Sequence, residues 1–231
     1  MSKGKYKGIA PDCNIVAVKV LDETGKGNAV NVLAGLQWVI DNKERYNIKV
    51  INLSIGTEDV GRKDPLVRGV DECWDRGIVM VIAAGNEGPK RSSITSPGIS
   101  RKVITVGSSD DGREVRIWGM DKSNYSGRGP TSECIKKPDV VAPGANIISC
   151  LSPSERGGID KSKIVLDSYL KLSGTSMSTP IVSGGIALLL SKNPDMKPDE
   201  VKYKLKGSTT DLKCSQNRQG WGLIDMEKLL S

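Results

Sequence analysis

Two kinds of apolar pattern alternate along the chain. Short continuous apolar runs, rich in valine and isoleucine and closed by turn-forming residues, predict buried strands. These runs are Asn14–Leu21, Val50–Ile55, Ile78–Gly88, Lys102–Asp110 and Asp139–Gly144. Longer segments with apolar residues three and four positions apart predict amphipathic helices at Val30–Lys43, Pro65–Arg76 and Pro198–Lys206. Strands that alternate with helices and are apolar on both faces predict an α/β fold, with a parallel β-sheet flanked by helices on both faces.

The last third of the chain adds a hairpin and a buried helix. Ile147–Leu172 contains two short strand-like pieces around the polar loop SPSERGGIDKSK, which predicts a surface hairpin. A helix begins near Ser176 and is apolar almost all round over Ile181–Leu190. Gly184 and Gly185 in that run allow another element to approach closely, so we expect a central, buried helix.

Composition excludes several classes of function. The chain has 231 residues, which suits one α/β domain, and no apolar run approaches the length needed to cross a bilayer. Its net charge is +7, but the 34 basic residues are interleaved with 27 acidic ones and form no aromatic-basic patch. We therefore expect neither a membrane partner nor a nucleic-acid partner.

The number and spacing of the cysteines indicate the cellular compartment of the protein. Five cysteines, odd in number and without a CxxC pair, favour buried, reduced thiols over a disulfide framework or a zinc site. The opening residues MSKGKYKG are basic but lack the apolar region of a secretory signal. These features predict a cytoplasmic protein, while a signal on a longer precursor stays open.

A serine stands at the start of the apolar helix. Ser176 follows Gly174 and Thr175, where unpaired backbone N–H groups and the helix dipole favour a developing negative charge. Ser176 is therefore a candidate nucleophile. The alternative is that Ser176 only caps the helix, a role that serine commonly has.

An asparagine follows a predicted strand in the segment AAGNEGP. The carboxyl ends of parallel strands meet at one edge of a sheet, where ligands bind, so Asn86 can present an amide donor there. The alternative is that Asn86 only tolerates a left-handed turn. Together Ser176 and Asn86 supply a nucleophile and half of an oxyanion hole, but the chain contains no histidine that could act as the base.

Several long segments resemble the subtilisin-like serine proteases. GTSMSTPIVSGGIALLLSKNP is similar to their nucleophile segment, and VIAAGNEGP is similar to their oxyanion segment. The segments YSGRGP and KPDVVAPGANI resemble later strand motifs, and KGIAPDCNIVAVKVL and VINLSIG match in order and spacing. The resemblance covers nearly the whole chain and implies a serine endopeptidase that acts on polypeptides.

The resemblance also assigns roles to individual residues. Ser176 would attack the scissile carbonyl, while its backbone N–H and the Asn86 side chain would bind the oxyanion. An extended substrate would pair with two backbone edges, and a small-residue wall would leave room for an apolar side chain before the cut. The substrate-binding residues implied are Gly25, Lys26, Gly27, Ser54, Ile55, Gly56, Ala83, Ala84 and Gly85. No cofactor is required for this chemistry, and structural calcium, common in the family, is not assignable to particular residues.

The resemblance fails at the catalytic Asp and His, whose motifs lie upstream in the family. We therefore expect residues 1–231 to be the C-terminal, serine-bearing portion of a single peptidase domain whose N-terminal part is missing. Such a portion would be inactive alone, would expose an unpaired sheet edge and would have the missing N-terminal segment as its partner. The alternative is a pseudo-protease or peptide-binding module that retains the substrate groove.

Overall fold

A central sheet organises the molecule, which is known from a computed structural model describing residues 6–22, 24–57, 63–117, 119–152, 163–165 and 168–231. The helices are α1 (Ala29–Tyr46), α2 (Pro65–Asp75), α3 (Thr175–Lys192), α4 (Pro198–Gly207), α5 (Gln216–Gln219) and α6 (Met226–Leu230). The strands are β1 (Val50–Leu53), β2 (Val79–Ala83), β3 (Ile104–Ser108), β4 (Val115–Ile117), β5 (Met120–Lys122), β6 (Val140–Ala142), β7 (Ile147–Cys150), β8 (Ile164–Val165), β9 (Tyr169–Leu172), β10 (Thr209–Thr210) and β11 (Leu223–Ile224).

The main sheet has six strands in the order β1-β2-β3-β6-β11-β10. All neighbouring strands in it run parallel except β10 and β11, which are antiparallel. Every residue of β2 and β3 is buried. Because successive side chains of a strand point to opposite faces, burial of all of them means that both faces of the sheet are covered. The predicted α/β fold is confirmed.

The helices that precede and follow β1 form where the sequence pattern places them. Asn28 caps α1 by accepting a hydrogen bond from the Asn31 N–H, and Asp64 caps α2 by accepting one from the Leu66 N–H. Pro65 occupies the first turn of α2, where its missing N–H costs nothing. These local signals explain why the predicted and observed bounds of α1 and α2 differ by only a few residues.

Helix α3 crosses under the sheet and contacts β1, β2 and β3. Val182 and Ile186 are completely buried in the core that these strands share. A Cβ added at Gly185 would lie 2.7 Å from the Met226 sulfur, and one at Gly184 would lie 2.8 Å from the Ile9 Cβ. Both glycines therefore allow close packing, as the sequence predicted for a central helix.

Several features differ from the sequence prediction, among them the short strands β10 and β11 and helix α5, which no pattern predicted. Asn14–Leu21 is not a strand, because it has no neighbouring strand to pair with in the described chain, and Ile15 is 84% exposed. The hairpin β4–β5 forms where no strand was predicted, since its strands have three residues each. The predicted hairpin within Ile147–Leu172 forms between β7 and β9, while most of its polar loop lies outside the described residues.

The cysteine prediction was wrong for most sites. Cys73 is buried, whereas Cys13, Cys134 and Cys150 are exposed and Cys214 is half-buried; all five are free thiols. Position in the fold explains the difference, because only Cys73 lies on the buried face of a helix.

Among the described helices, none is long and apolar enough to cross a membrane.

A cavity of about 980 Å³ lies beside the outer edge of β1. It is walled by the non-strand segment 14–20, by α1, by α3 and by β1 itself. Among the described strands β1 pairs only with β2, so its other backbone edge faces this cavity. Asn52 in β1 is exposed there, in contrast to the uniformly buried β2. We call this cavity the β1 slot.

Candidate active site

Ser176 is the second residue of α3 and lies beside the end of β1. Its Oγ donates a hydrogen bond to the Ser54 carbonyl at 3.3 Å, and the Ser54 hydroxyl donates to the Ser176 carbonyl at 3.1 Å. The N-cap of α3 is Gly174, which has no side chain to cap with. The alternative of Ser176 as a cap is therefore excluded, and its hydroxyl lies at the half-buried surface.

Pro180 explains why the Ser176 carbonyl is available to Ser54. In an α-helix the carbonyl of residue 176 would accept from the N–H of residue 180, four positions on. Residue 180 is a proline inside α3 and has no N–H to donate. The Ser54 hydroxyl supplies the missing donor, so the first turn of α3 is fixed to the end of β1.

Asn86 lies directly behind the start of α3 and is almost completely buried. Its Oδ1 accepts hydrogen bonds from the Thr175 N–H at 3.0 Å and from the Thr175 hydroxyl at 3.2 Å. A backbone N–H can only donate, so these contacts fix the orientation of the amide. The Nδ2 donor consequently points away from Thr175 and has no acceptor among the described residues.

Gly174 provides the close approach between α3 and Asn86. Its φ is +143°, in a region that L side chains rarely adopt, and an added Cβ would lie 3.3 Å from the Asn86 Nδ2. The N–H of Ser176, as one of the first four of the helix, has no intrahelical acceptor. Ser54 and Ser176 are hydrogen-bonded to each other, and Asn86 is hydrogen-bonded to the adjacent Thr175; we call Ser54, Asn86 and Ser176 together the catalytic edge.

The small-residue wall stands beside the catalytic edge. Ala83 ends β2, and Ala84 and Gly85 follow it as a short loop leading to Asn86. The Ala84 carbonyl accepts from the Thr95 N–H at 3.1 Å, and the Gly85 carbonyl accepts from the Gly127 N–H at 2.8 Å. These bonds fix the wall from behind.

The two predicted backbone edges have different surroundings. Ser54, Ile55 and Gly56 continue from β1 and reach the catalytic edge through Ser54. Gly25, Lys26 and Gly27 lie in an exposed loop that is organised by Asp22, whose carboxylate accepts from the Lys26 N–H at 2.9 Å. This hydrogen bond lowers the pKa of Asp22. No hydrogen bond among the described residues joins that loop to the catalytic edge.

A polar chain that the sequence analysis missed links the β1 slot to Ser54. Ser183 in α3 donates to the Asn52 Oδ1 at 2.9 Å, and the Asn52 Nδ2 donates to the Ser54 Oγ at 3.1 Å. The signal in the sequence is a lone asparagine inside the apolar run VINL. Both Asn52 and Ser183 line the slot, so its contents can influence the residue that holds Ser176.

The described residues supply no base for Ser176. Its hydroxyl donates to a carbonyl oxygen, which is far too weakly basic to take its proton. No group of three or more His, Cys, Asp or Glu side chains that could hold a metal ion assembles in the described part of the chain.

A serine at a helix start and an amide at a strand end, both at the carboxyl edge of a parallel sheet, are the arrangement by which serine hydrolases can stabilise an oxyanion. The family model described as the subtilase family, Peptidase_S8, matches residues 2–222. The chain belongs to the subtilase family of subtilisin-like serine peptidases.

Comparison with individual relatives supports the same family assignment. The chain is 43% identical to Serine protease AprX of Bacillus subtilis (strain 168), over 98% of this chain and 53% of the relative. It is 32% identical to Subtilisin DY of Bacillus licheniformis, over 95% of this chain and 69% of the relative. The chain therefore spans about half the length of AprX.

Solved structures resemble the fold over a similar range. Sphericase superposes with a TM-score of 0.74 at 25% identity, covering 93% of this chain and 69% of that chain. A cold adapted subtilisin-like serine proteinase gives a TM-score of 0.68 at 30% identity, covering 94% of this chain and 67% of that chain. The subtilisin-like fold holds over nearly all of the 231 residues.

Proposed function

We propose that this chain is the serine-bearing part of a serine endopeptidase that cleaves polypeptides through an acyl-enzyme on Ser176. The observation that carries the proposal is the catalytic edge, in which Ser176 at the start of α3 lies next to Asn86 with its Nδ2 donor unused. The names of the relatives, a serine protease and subtilisins, support the same reaction.

The geometry suits two-step acyl transfer. Ser176 Oγ attacks the carbonyl carbon of the scissile peptide bond, and its proton passes to a base. The carbonyl oxygen becomes an oxyanion that accepts hydrogen bonds from the Ser176 N–H and the Asn86 Nδ2. The amine leaves with a proton returned by the base, and water then cleaves the ester at Ser176 in the same way.

The base belongs, in this proposal, to a polypeptide segment outside residues 1–231. The absence of histidine from the chain motivates this assignment. The β1 slot supports it, because an open backbone edge between two apolar walls suits one more strand of apolar sequence. The Ser183–Asn52–Ser54 hydrogen bonds give such a strand a direct connection to the catalytic edge.

The substrate is proposed to bind as an extended strand. The segment Ser54–Gly56 leads away from Ser176 along one side, and the exposed loop Gly25–Gly27 offers a second backbone edge. Backbone pairing of this kind accepts many sequences, which suits an endopeptidase. Lys26 at the rim favours acidic residues upstream of the cut.

The test compares the 231-residue chain with the complete gene product on one fluorogenic peptide. We expect turnover only from the complete product, and loss of that turnover in its Ser176→Ala variant. Equal turnover by the isolated chain would contradict the need for an outside base. Tight peptide binding without hydrolysis by the complete product, unchanged in Ser176→Ala, would instead identify a peptide-binding module.

A further inference from the structure

Three backbone carbonyls converge on one ammonium group beside the start of β3. The Lys202 Nζ donates hydrogen bonds of 2.8 Å to the carbonyls of Arg101, Lys102 and Val103. Lys202 reaches these carbonyls from α4, and its side chain is 16% exposed. The three bonds use every donor that an ammonium group has.

The same ammonium group lies next to a carboxylate and an aromatic ring. Asp139 Oδ1, just before β6, is 3.4 Å from the Lys202 Nζ, and the centroid of the Trp74 ring is 5.8 Å from it. The other carboxylate oxygen, Oδ2, accepts from the Thr105 N–H at 2.8 Å and from the Lys137 Nζ at 2.6 Å. Four oxygen atoms and one ring face therefore surround a single positive charge.

This cluster of oxygens is of the kind that binds metal cations. Carbonyl and carboxylate oxygens are the ligands that calcium takes, and calcium is the structural ion that the family implies. The residues present do not fit calcium, because the contacts of 2.8 Å are N–H···O hydrogen bonds, whereas calcium lies about 2.3–2.6 Å from its oxygens. A metal ion among the same oxygens would also be repelled by the ammonium group.

We propose that these oxygens form a cation site that the chain occupies with its own Lys202 ammonium group, in place of a metal ion. The ammonium group joins α4 to the segments that lead into β3 and β6, as a bound metal would. It cannot dissociate, and no chelator can remove it. The stability of this part of the fold is therefore independent of the calcium concentration.

The first test empties the site in the complete gene product, in a Ser176→Ala background that excludes self-digestion. Lys202→Ala leaves a carboxylate and three carbonyls without their cation, so we expect its melting temperature, Tm, to fall by about 5–15 °C. Methylammonium supplies the lysine head group from solution. At ten times its Kd it should raise the Tm of Lys202→Ala by about 3–6 °C.

Lys202→Met is the matched control, because its side chain fills the same space without a charge. It should also melt below the wild type, but methylammonium should move its Tm by less than about 1 °C. Two results would overturn the proposal: a Tm of Lys202→Ala equal to that of the wild type, or an equal response of Lys202→Ala and Lys202→Met to methylammonium.

The second test keeps Lys202 and does not depend on how the variants fold. Reductive methylation with formaldehyde, followed by peptide mass spectrometry, reports which lysines are accessible. We expect Lys202 to stay unmodified in calcium and in chelator alike, while the exposed Lys206 on the same helix is methylated in both. Methylation of Lys202 as fast as Lys206 in calcium would show that the metal displaces the ammonium group, and in chelator that the ammonium group does not hold the site. Either result would contradict the proposal.

Discussion

Strand β1 borders two regions, one fixed by hydrogen bonds and one with an unpaired backbone edge. At its carboxyl end, the catalytic edge is closed: Ser54, Asn86 and Ser176 are fixed by hydrogen bonds from three separate segments. Along its outer edge, the β1 slot is open, with a backbone edge that no described strand pairs and a cavity of about 980 Å³ beside it. The nucleophile and the oxyanion donors are therefore already in place while the slot stands open, although the Ser183–Asn52–Ser54 hydrogen bonds connect the two regions.

The contrast separates two requirements of catalysis. Stabilisation of an oxyanion needs donors held in place before the reaction, and the catalytic edge provides this through a proline, a glycine and one buried amide. Proton transfer needs a base within hydrogen-bonding reach of Ser176, and the proposed function assigns that base to a segment that binds in the open region. A substitution in one region should therefore affect one of these two requirements and leave the other unchanged.

The largest expected effect comes from removing the oxyanion donor. Asn86→Asp keeps an acceptor for the Thr175 N–H but replaces the Nδ2 donor with an oxygen. We expect kcat of the complete gene product to fall by about 10²–10³-fold, a size known for the equivalent loss in subtilisin itself, with KM nearly unchanged. Steady-state kinetics measure this, and a loss below about fivefold would remove Asn86 from the oxyanion hole.

A smaller effect should follow from filling the β1 slot. Ala187 in α3 lines the slot, and Ala187→Trp would occupy space needed by an added strand. Overpacking costs about 1–3 kcal/mol, which weakens binding of the completing segment by roughly 10- to 100-fold. Titrating the purified chain with that segment and following turnover gives the affinity.

Ala187→Ser is the matched control, because serine adds a single atom at the same place. Its affinity for the completing segment should equal that of the wild type. If Ala187→Trp also bound the segment with unchanged affinity, the slot would not be where the segment docks.

The smallest expected effect lies in a buried charge cluster at the start of β6, three strands along the sheet from β1. Lys137 Nζ lies 2.6 Å from Asp139 Oδ2, and Lys202 Nζ lies 3.4 Å from Oδ1 of the same carboxylate. Burial, only partly offset by Asp139, lowers the pKa of Lys137 from 10.5 to about 7. Between these values the unfolded chain binds a proton that the folded chain lacks, so the free energy of unfolding rises with pH.

We expect wild type to gain about 1–2 kcal/mol over Lys137→Met between about pH 7 and 9, less than the full shift because this window covers only part of the interval between the two pKa values of Lys137. Urea unfolding of the two chains at each pH measures the difference. Parallel pH dependences would show that Lys137 stays charged in the folded protein.

The sequence predicts the elements that depend on local signals. α1, α2 and the strands β1, β2, β3 and β6 form within or close to their predicted bounds, because caps, a first-turn proline and continuous apolar runs act within a few residues; β10 and β11, with two residues each, were not predicted. Asn14–Leu21 has the same apolar pattern and forms no strand, since a strand also needs a neighbour with a free edge. Pattern alone cannot report whether that neighbour is present.

Only those residues of the candidate site that lie in recognisable sequence motifs could be predicted. Ser176 and Asn86 follow from their positions at a helix start and a strand end, and the structure brings them together. Asn52 and the role of Pro180 were missed, because each acts through a residue distant in sequence. Contacts between segments more than 100 residues apart carry no local signature.

If the proposed completing segment binds in the β1 slot, its binding also determines how long the molecule persists. Any strand that binds the folded chain but not the unfolded one stabilises the folded chain by mass action, by about 2.7 kcal/mol when its concentration is 100 times its dissociation constant. A chain without the bound segment would unfold, and be degraded, more readily than a chain to which the segment is bound. Other proteases would then degrade the molecules without the segment first, and the remaining molecules would be enriched in the active form.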